Sequence, residues 1–144
     1  MDLVIDANEL FSAIISKGKK RETKKLDVLF SPEIMLFAPA LLFKELEKNF
    51  FEIQAKAGLL EPDLKLFIKV LQQRIEIVPT EELLPFLLEA KTISPHDKDI
   101  PYFAVALRLR CSLWSGDKAL KGQSKIKVFN TRDLAEELEG RRGV

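Results

Sequence analysis

Four carboxylates stand where apolar runs end or helices begin: Asp6, Glu45, Asp99 and Asp117. Asp6 follows Leu3-Val4-Ile5, and Asp117 follows Leu113-Trp114-Ser115-Gly116. Asp99 stands two residues before Pro101, and Glu45 lies one turn beyond the apolar run 34–38. With neither His nor Cys beside them, the four would make an oxygen-only ligand set, which suits hard cations such as Mg²⁺ or Mn²⁺ and not zinc. Without a cation the cluster would repel itself and raise at least one pKa. Each acid also has an ordinary alternative. Asp6, Asp99 and Asp117 serve equally as helix caps, and Glu45 as a surface residue in Lys44-Glu45-Leu46-Glu47-Lys48. The chemistry therefore depends on whether the fold gathers them.

Short, continuously apolar runs at 2–5, 34–38, 75–78, 112–115 and 126–129 predict five strands. Between them the apolar spacing turns helical. Leu10, Phe11, Ile14 and Ile15 share one face after Asp6, and a short helical segment around Leu26, Leu29 and Phe30 stops at Pro32. Pro39 opens a long helix carrying Leu42, Phe43, Leu46, Phe50 and Ile53, broken by Gly58. Another helix follows Pro62, and Thr80 opens the next with Glu81 and Glu82 in its first turn. Asp99 begins a helix to Arg110 with Pro101 in the first turn, and the last covers Thr131 to Leu138, capped by Thr131 or Asn130. Alternating strands and helices predict an α/β fold with a parallel sheet covered on both faces. Such sheets place their sites at the carboxyl ends of the strands. The reading gives one domain over 1–139 and a short tail over 140–144.

The 144-residue chain is 47% hydrophobic and 31% charged, an ordinary globular balance. Cys111 is its only cysteine, which excludes an internal disulfide and a cysteine-based metal site, and a single His excludes His-rich zinc chemistry. No long apolar run spans a membrane, and Asp2 and Asp6 do not fit a signal peptide. A soluble, cytoplasmic protein is expected. Lys and Arg (23) nearly balance Asp and Glu (22), but six of the nine residues from Lys17 to Lys25 are basic. That cluster (Lys17, Lys19, Lys20, Arg21, Lys24, Lys25) reads as a phosphate-contacting surface or as a solvated loop.

In order and spacing these residues resemble the PIN-domain ribonucleases, and among them the VapC-like toxins of toxin and antitoxin pairs. The resemblance covers nearly the whole chain. Asp6-Ala7-Asn8 matches the opening Asp-x-Asn, and Phe43-Lys44-Glu45-Leu46 matches the glutamate motif. Asp99 with Ala104, Ala106 and Leu107 matches the acid that opens an alanine-rich helix, and Leu113-Trp114-Ser115-Gly116-Asp117 matches the strand-end acid. Asp117 follows Asp99 by eighteen positions, the spacing expected in the family. Ser115 replaces the commoner threonine, Asp97 is an extra acid competing for the third role, and Ala119 stands where some members carry another acid. Pro101 and the Trp114-Ser115-Gly116-Asp117-Lys118 form point to a branch distinct from the commonest toxins.

The resemblance implies a three-layer α/β/α domain with a central, mostly parallel five-stranded sheet. It implies an endoribonuclease with Mg²⁺ or Mn²⁺ held by Asp6, Asp99 and Asp117, and Glu45 as a ligand or as the group that orients the attacking water. Asn8 and Ser115 would support the carboxylates, while Lys19, Lys20, Arg21, Lys24 and Lys118 would contact RNA. A homodimer and an antitoxin protein are the implied partners. The alternative is a non-catalytic PIN-like module that binds RNA or protein. A receiver-like domain fits less well, because Ala38-Pro39 ends the second strand without an acid, and a Rossmann domain lacks its Gly-rich turn here.

Overall fold

Leu3, Val4 and Ile5 are fully buried, as a continuous apolar run requires of a strand covered on both faces. In the computed structural model, which describes residues 1–19 and 24–142, they belong to β1 (Asp2–Ile5), at the centre of the sheet. The chain continues through α1 (Ala7–Lys19), α2 (Lys24–Leu29), β2 (Met35–Pro39), α3 (Leu41–Lys48), α4 (Phe50–Ala57), α5 (Glu61–Arg74) and β3 (Ile75–Val78). It then forms α6 (Thr80–Leu83), α7 (Leu87–Ile93), α8 (Ile100–Leu109), β4 (Ser112–Trp114), β5 (Val128–Phe129) and α9 (Thr131–Arg142).

The five strands are all parallel, in the order β3-β2-β1-β4-β5. From β1 the chain first builds outward through β2 and β3, then returns to add β4 on the other side. The carboxyl ends of β1 and β4 therefore flank the topological switch point, where sheets of this kind leave a crevice. Register brings Ile5 opposite Trp114, so the residues following each strand emerge together. Trp114, Tyr102 and Phe103 are the largest fully buried side chains, and α8 packs against β1, β2 and β4. The Trp114 indole N–H donates to Thr131 Oγ1 at 3.1 Å, tying β4 to α9.

Several boundaries differ from the periodicity. The long helix expected from Pro39 is two helices, α3 and α4, meeting at Asn49. The Asn49 side chain donates to the Glu45 carbonyl at 2.8 Å, alongside its own backbone N–H at 3.0 Å, and its backbone leaves the helical region at φ −101°, ψ 15°. An amide that bonds locally competes with helix continuation. Pro39 instead ends β2, paired with Val78. Gly58 closes α4 in the left-handed conformation at φ 67°. The helix from Thr80 is also divided, by a 3₁₀ turn over Leu84–Phe86 that contains Pro85.

The fifth strand starts at Val128 and not Ile126, because Gln123 claims the Ile126 backbone: its Oε1 accepts from the Ile126 N–H at 2.8 Å and its Nε2 donates to the carbonyl at 2.6 Å. Asn130 caps α9 by accepting from the Asp133 N–H at 2.7 Å, and the helix continues to Arg142, so residues 140–142 are helical where a tail was expected. Gly18 permits the close approach of α1 and α4, since a Cβ there would sit on the Ala57 carbonyl. Among the described residues, no helix is long and apolar enough to cross a membrane.

Candidate metal centre

Asp6 is the first residue beyond β1, and its N–H continues the ladder to the Trp114 carbonyl at 3.1 Å. That bond fixes Asp6 beside Ser115. The Ser115 hydroxyl donates to Asp6 Oδ2 at 2.7 Å and accepts from the Asp117 N–H at 3.1 Å. One buried hydroxyl thus joins the acid after β1 to the loop after β4, across 109 residues of sequence. The other Asp6 oxygen accepts from the Asn8 backbone N–H at 3.3 Å. Asp117 divides its oxygens. Oδ1 caps the 3₁₀ turn Lys118–Gly122 by accepting from the Ala119 N–H at 2.9 Å, and Oδ2 lies 3.3 Å from His96 Nε2.

Asp99 precedes α8 and is only 4% exposed, and its Oδ2 is buried without a hydrogen-bond partner. His96, Asp99 and Asp117 each bring a ligand atom within 4.8 Å of the others. Burial, then the charge of Asp6, pushes the Asp99 carboxyl up to about 6, against the pull of Lys98 and His96. Asp6 is also raised by burial, opposed chiefly by the Ser115 hydrogen bond. Half-buried Glu45 on α3 is raised by burial and then by Asp6 and Asp99, which makes the three acids one electrostatic unit. Tyr102, three residues beyond Asp99, has a buried hydroxyl with no partner; burial and then the charges of Glu45, Asp6 and Asp99 push its pKa upward. Mutually repelling carboxylates and an unpaired buried oxygen fit a divalent cation.

The sequence model of the PIN domain matches residues 4–139. The chain belongs to the PIN-domain family. A search of curated proteins and a search of solved structures found no match. PIN domains are generally nucleases, so the acidic cluster at the switch point of this sheet sits in a nuclease-type fold.

This PIN domain brings Asp6, Glu45, Asp99, Asp117 and Ser115 to one place and separates the remaining candidates. Glu45 faces the cluster while Glu47 is exposed, a distinction the Lys44 to Lys48 run did not contain. Asn8 supports Asp6 through its backbone, and its side chain is exposed. Asp97 is exposed at the start of the 3₁₀ turn Asp97–Asp99, apart from the His96, Asp99 and Asp117 trio. Lys19 is exposed and lines a groove between α1 and α3–α4 together with Asn8, Ser12, Glu45, Asn49 and Lys56. Lys24 and Lys118 are exposed, whereas Lys20 and Arg21 lie outside the described residues. The rest of the basic cluster is engaged internally: Lys25 pairs with buried Glu9 at 3.0 Å and Ser12 at 2.7 Å, and Lys17 sits 5.2 Å from the Phe67 ring centre.

Beside the oxygen ligands expected from sequence, the PIN site also places the His96 nitrogen and the Lys98 charge. His96, Lys98 and Tyr102 were missed. Their only signal was position, all three falling within three residues of Asp99.

Proposed function

We propose that this PIN domain is a metal-dependent endoribonuclease that hydrolyses RNA phosphodiester bonds, using Mg²⁺ or Mn²⁺ held by Asp6, Asp99 and Asp117. The observation that carries the reading is the buried, unpartnered Asp99 Oδ2 beside acids of raised pKa, in a nuclease-type fold. The bound ion would neutralise the phosphate and activate water. Ser115 holds Asp6 in place and, through the Asp117 N–H, sets the distance between two of the three aspartates. Glu45, whose pKa is raised, orients the attacking water and takes its proton as the P–O bond breaks. Lys19, Lys24 and Lys118 supply positive charge around the acids, and the groove past Lys19 and Lys56 leads RNA toward Glu45.

The test incubates purified protein with structured and single-stranded RNA, in Mn²⁺ or in chelator, beside Asp6→Asn and Asp117→Asn. Metal-dependent cleavage by the wild type alone is expected. Cleavage equal in all three proteins, or none in the wild type, returns the chain to a PIN-like RNA- or protein-binding module. The biological role we infer is that of a toxin held by an antitoxin protein. Expression should then arrest growth, and co-expression of the neighbouring reading frame should relieve it. Normal growth would leave an RNA-processing nuclease. Exposed Phe51 on α4 and Leu66 and Val70 on α5 support a homodimer.

A further inference from the structure

His96 stands outside the acid pattern, yet its imidazole is turned to the same point as Asp99 and Asp117. Two observations set it there. Its carbonyl is pinned from both sides, accepting from Ser94 Oγ at 2.6 Å and from the Asp99 N–H at 3.1 Å, so the turn that positions Asp99 also positions His96. Its Nε2 lies 3.3 Å from Asp117 Oδ2. Two ligands about 2.1 Å from one ion, at octahedral or tetrahedral angles, stand about 3.0 to 3.4 Å apart. The observed separation therefore suits a shared ion as well as it suits a hydrogen bond. All three ligand atoms lie within 4.8 Å of one another, and the imidazole is 43% exposed at the mouth of the cluster rather than packed in the core. The Asp99 oxygen that has no partner within the protein is the independent sign that something further binds here.

We infer that His96 is a nitrogen ligand of this centre, completing a mixed site with Asp99 and Asp117 that selects transition-metal dications over Mg²⁺. The inference rests on the proposed metal site and not on the identity of the substrate. An imidazole favours later divalent metals, whereas carboxylates alone leave Mg²⁺ competitive. Because the chain contains a single histidine, any imidazole signal at a bound ion belongs to His96.

The experiment uses the full chain without RNA. Mn²⁺ is bound and the sample is examined by pulsed electron paramagnetic resonance for nitrogen-14 coupling, while Co²⁺ and Mg²⁺ affinities are obtained by competition. Coupling is expected in the wild type and not in His96→Ala. The same variant should weaken Co²⁺ by about tenfold or more and Mg²⁺ by less than about twofold. His96→Asp, which restores an oxygen ligand, should regain Mn²⁺ binding without the coupling. Mn²⁺ bound to the wild type with no nitrogen coupling, or an unchanged ratio of Co²⁺ to Mg²⁺ affinity in His96→Ala, overturns the inference and leaves the nuclease reading intact. No Mn²⁺ binding at all overturns both. Nitrogen coupling in a protein that cleaves no RNA supports the inference and removes the nuclease.

Discussion

Asp117 divides its carboxylate between a cap and a candidate site, since one oxygen satisfies the turn and the other faces His96. Asp117→Asn keeps the cap. It should therefore melt within about 1 kcal/mol of the wild type while losing metal-dependent cleavage by about a hundredfold or more. Ser115→Ala removes the hydroxyl that joins Asp6 to Asp117 and should lower metal affinity by about 10- to 100-fold, measured by Mn²⁺ titration. Asp99 gives the sign of the pH dependence. Its carboxyl is raised from 3.8 to about 6 in the fold, so folding disfavours its charged form. The penalty is absent below the ordinary value and complete above the raised one. Metal-free protein should lose stability as pH climbs from about 4 to about 6, and metal affinity should rise over the same interval. Asp99→Asn should raise metal-free stability at pH 7 by an amount on the order of 2 kcal/mol, read by thermal melting in chelator. A variant less stable than the wild type there would disprove the account of a carboxylate penalised by burial and by the charge of Asp6.

At the level of elements, the strands were legible because burial on both faces leaves continuous apolar runs, as in Leu3-Val4-Ile5. Asp6 and Asp117 were legible because they follow those runs, and Asp99 because Pro101 marks the helix it precedes. What escaped was decided by single side chains bonding to nearby backbone: Asn49 divides a helix, and Gln123 delays a strand. Neither leaves a periodic trace. His96 escaped for a related reason, since a lone imidazole in a loop has no pattern until Ser94 and Asp99 fix its turn. The α1–α4 contact yields a prediction of its own. Gly18→Ala forces a methyl onto the Ala57 carbonyl, and should cost about 1–3 kcal/mol in chemical denaturation. The groove beside Lys19 and Lys56 runs along these helices, so the same variant should change RNA affinity more than metal affinity.

Across the whole molecule, the apolar residues left exposed on α4 and α5 bear on assembly. Phe51 is 71% and Leu66 64% exposed, apolar side chains that a second subunit would cover. Sedimentation should report a dimer, and Phe51→Glu with Leu66→Glu should shift it to monomer without altering the metal-free melt of the core by more than about 1 kcal/mol. A monomer at all concentrations would remove the assembly proposal.

The order β3-β2-β1-β4-β5 bears on how the protein is made. β1 and Asp6 leave the ribosome first, but β4, the Ser115 hydroxyl and Asp117 arrive more than a hundred residues later. Contacts of such long range form slowly and late. The hydroxyl that joins the two halves of the acid cluster cannot act until then. A chain whose synthesis halts just before residue 115 carries Asp6, Glu45 and Asp99 without Ser115 and Asp117. If the proposed ribonuclease activity holds, a chain built in this way would stay inert beside the RNA that surrounds it during its own synthesis.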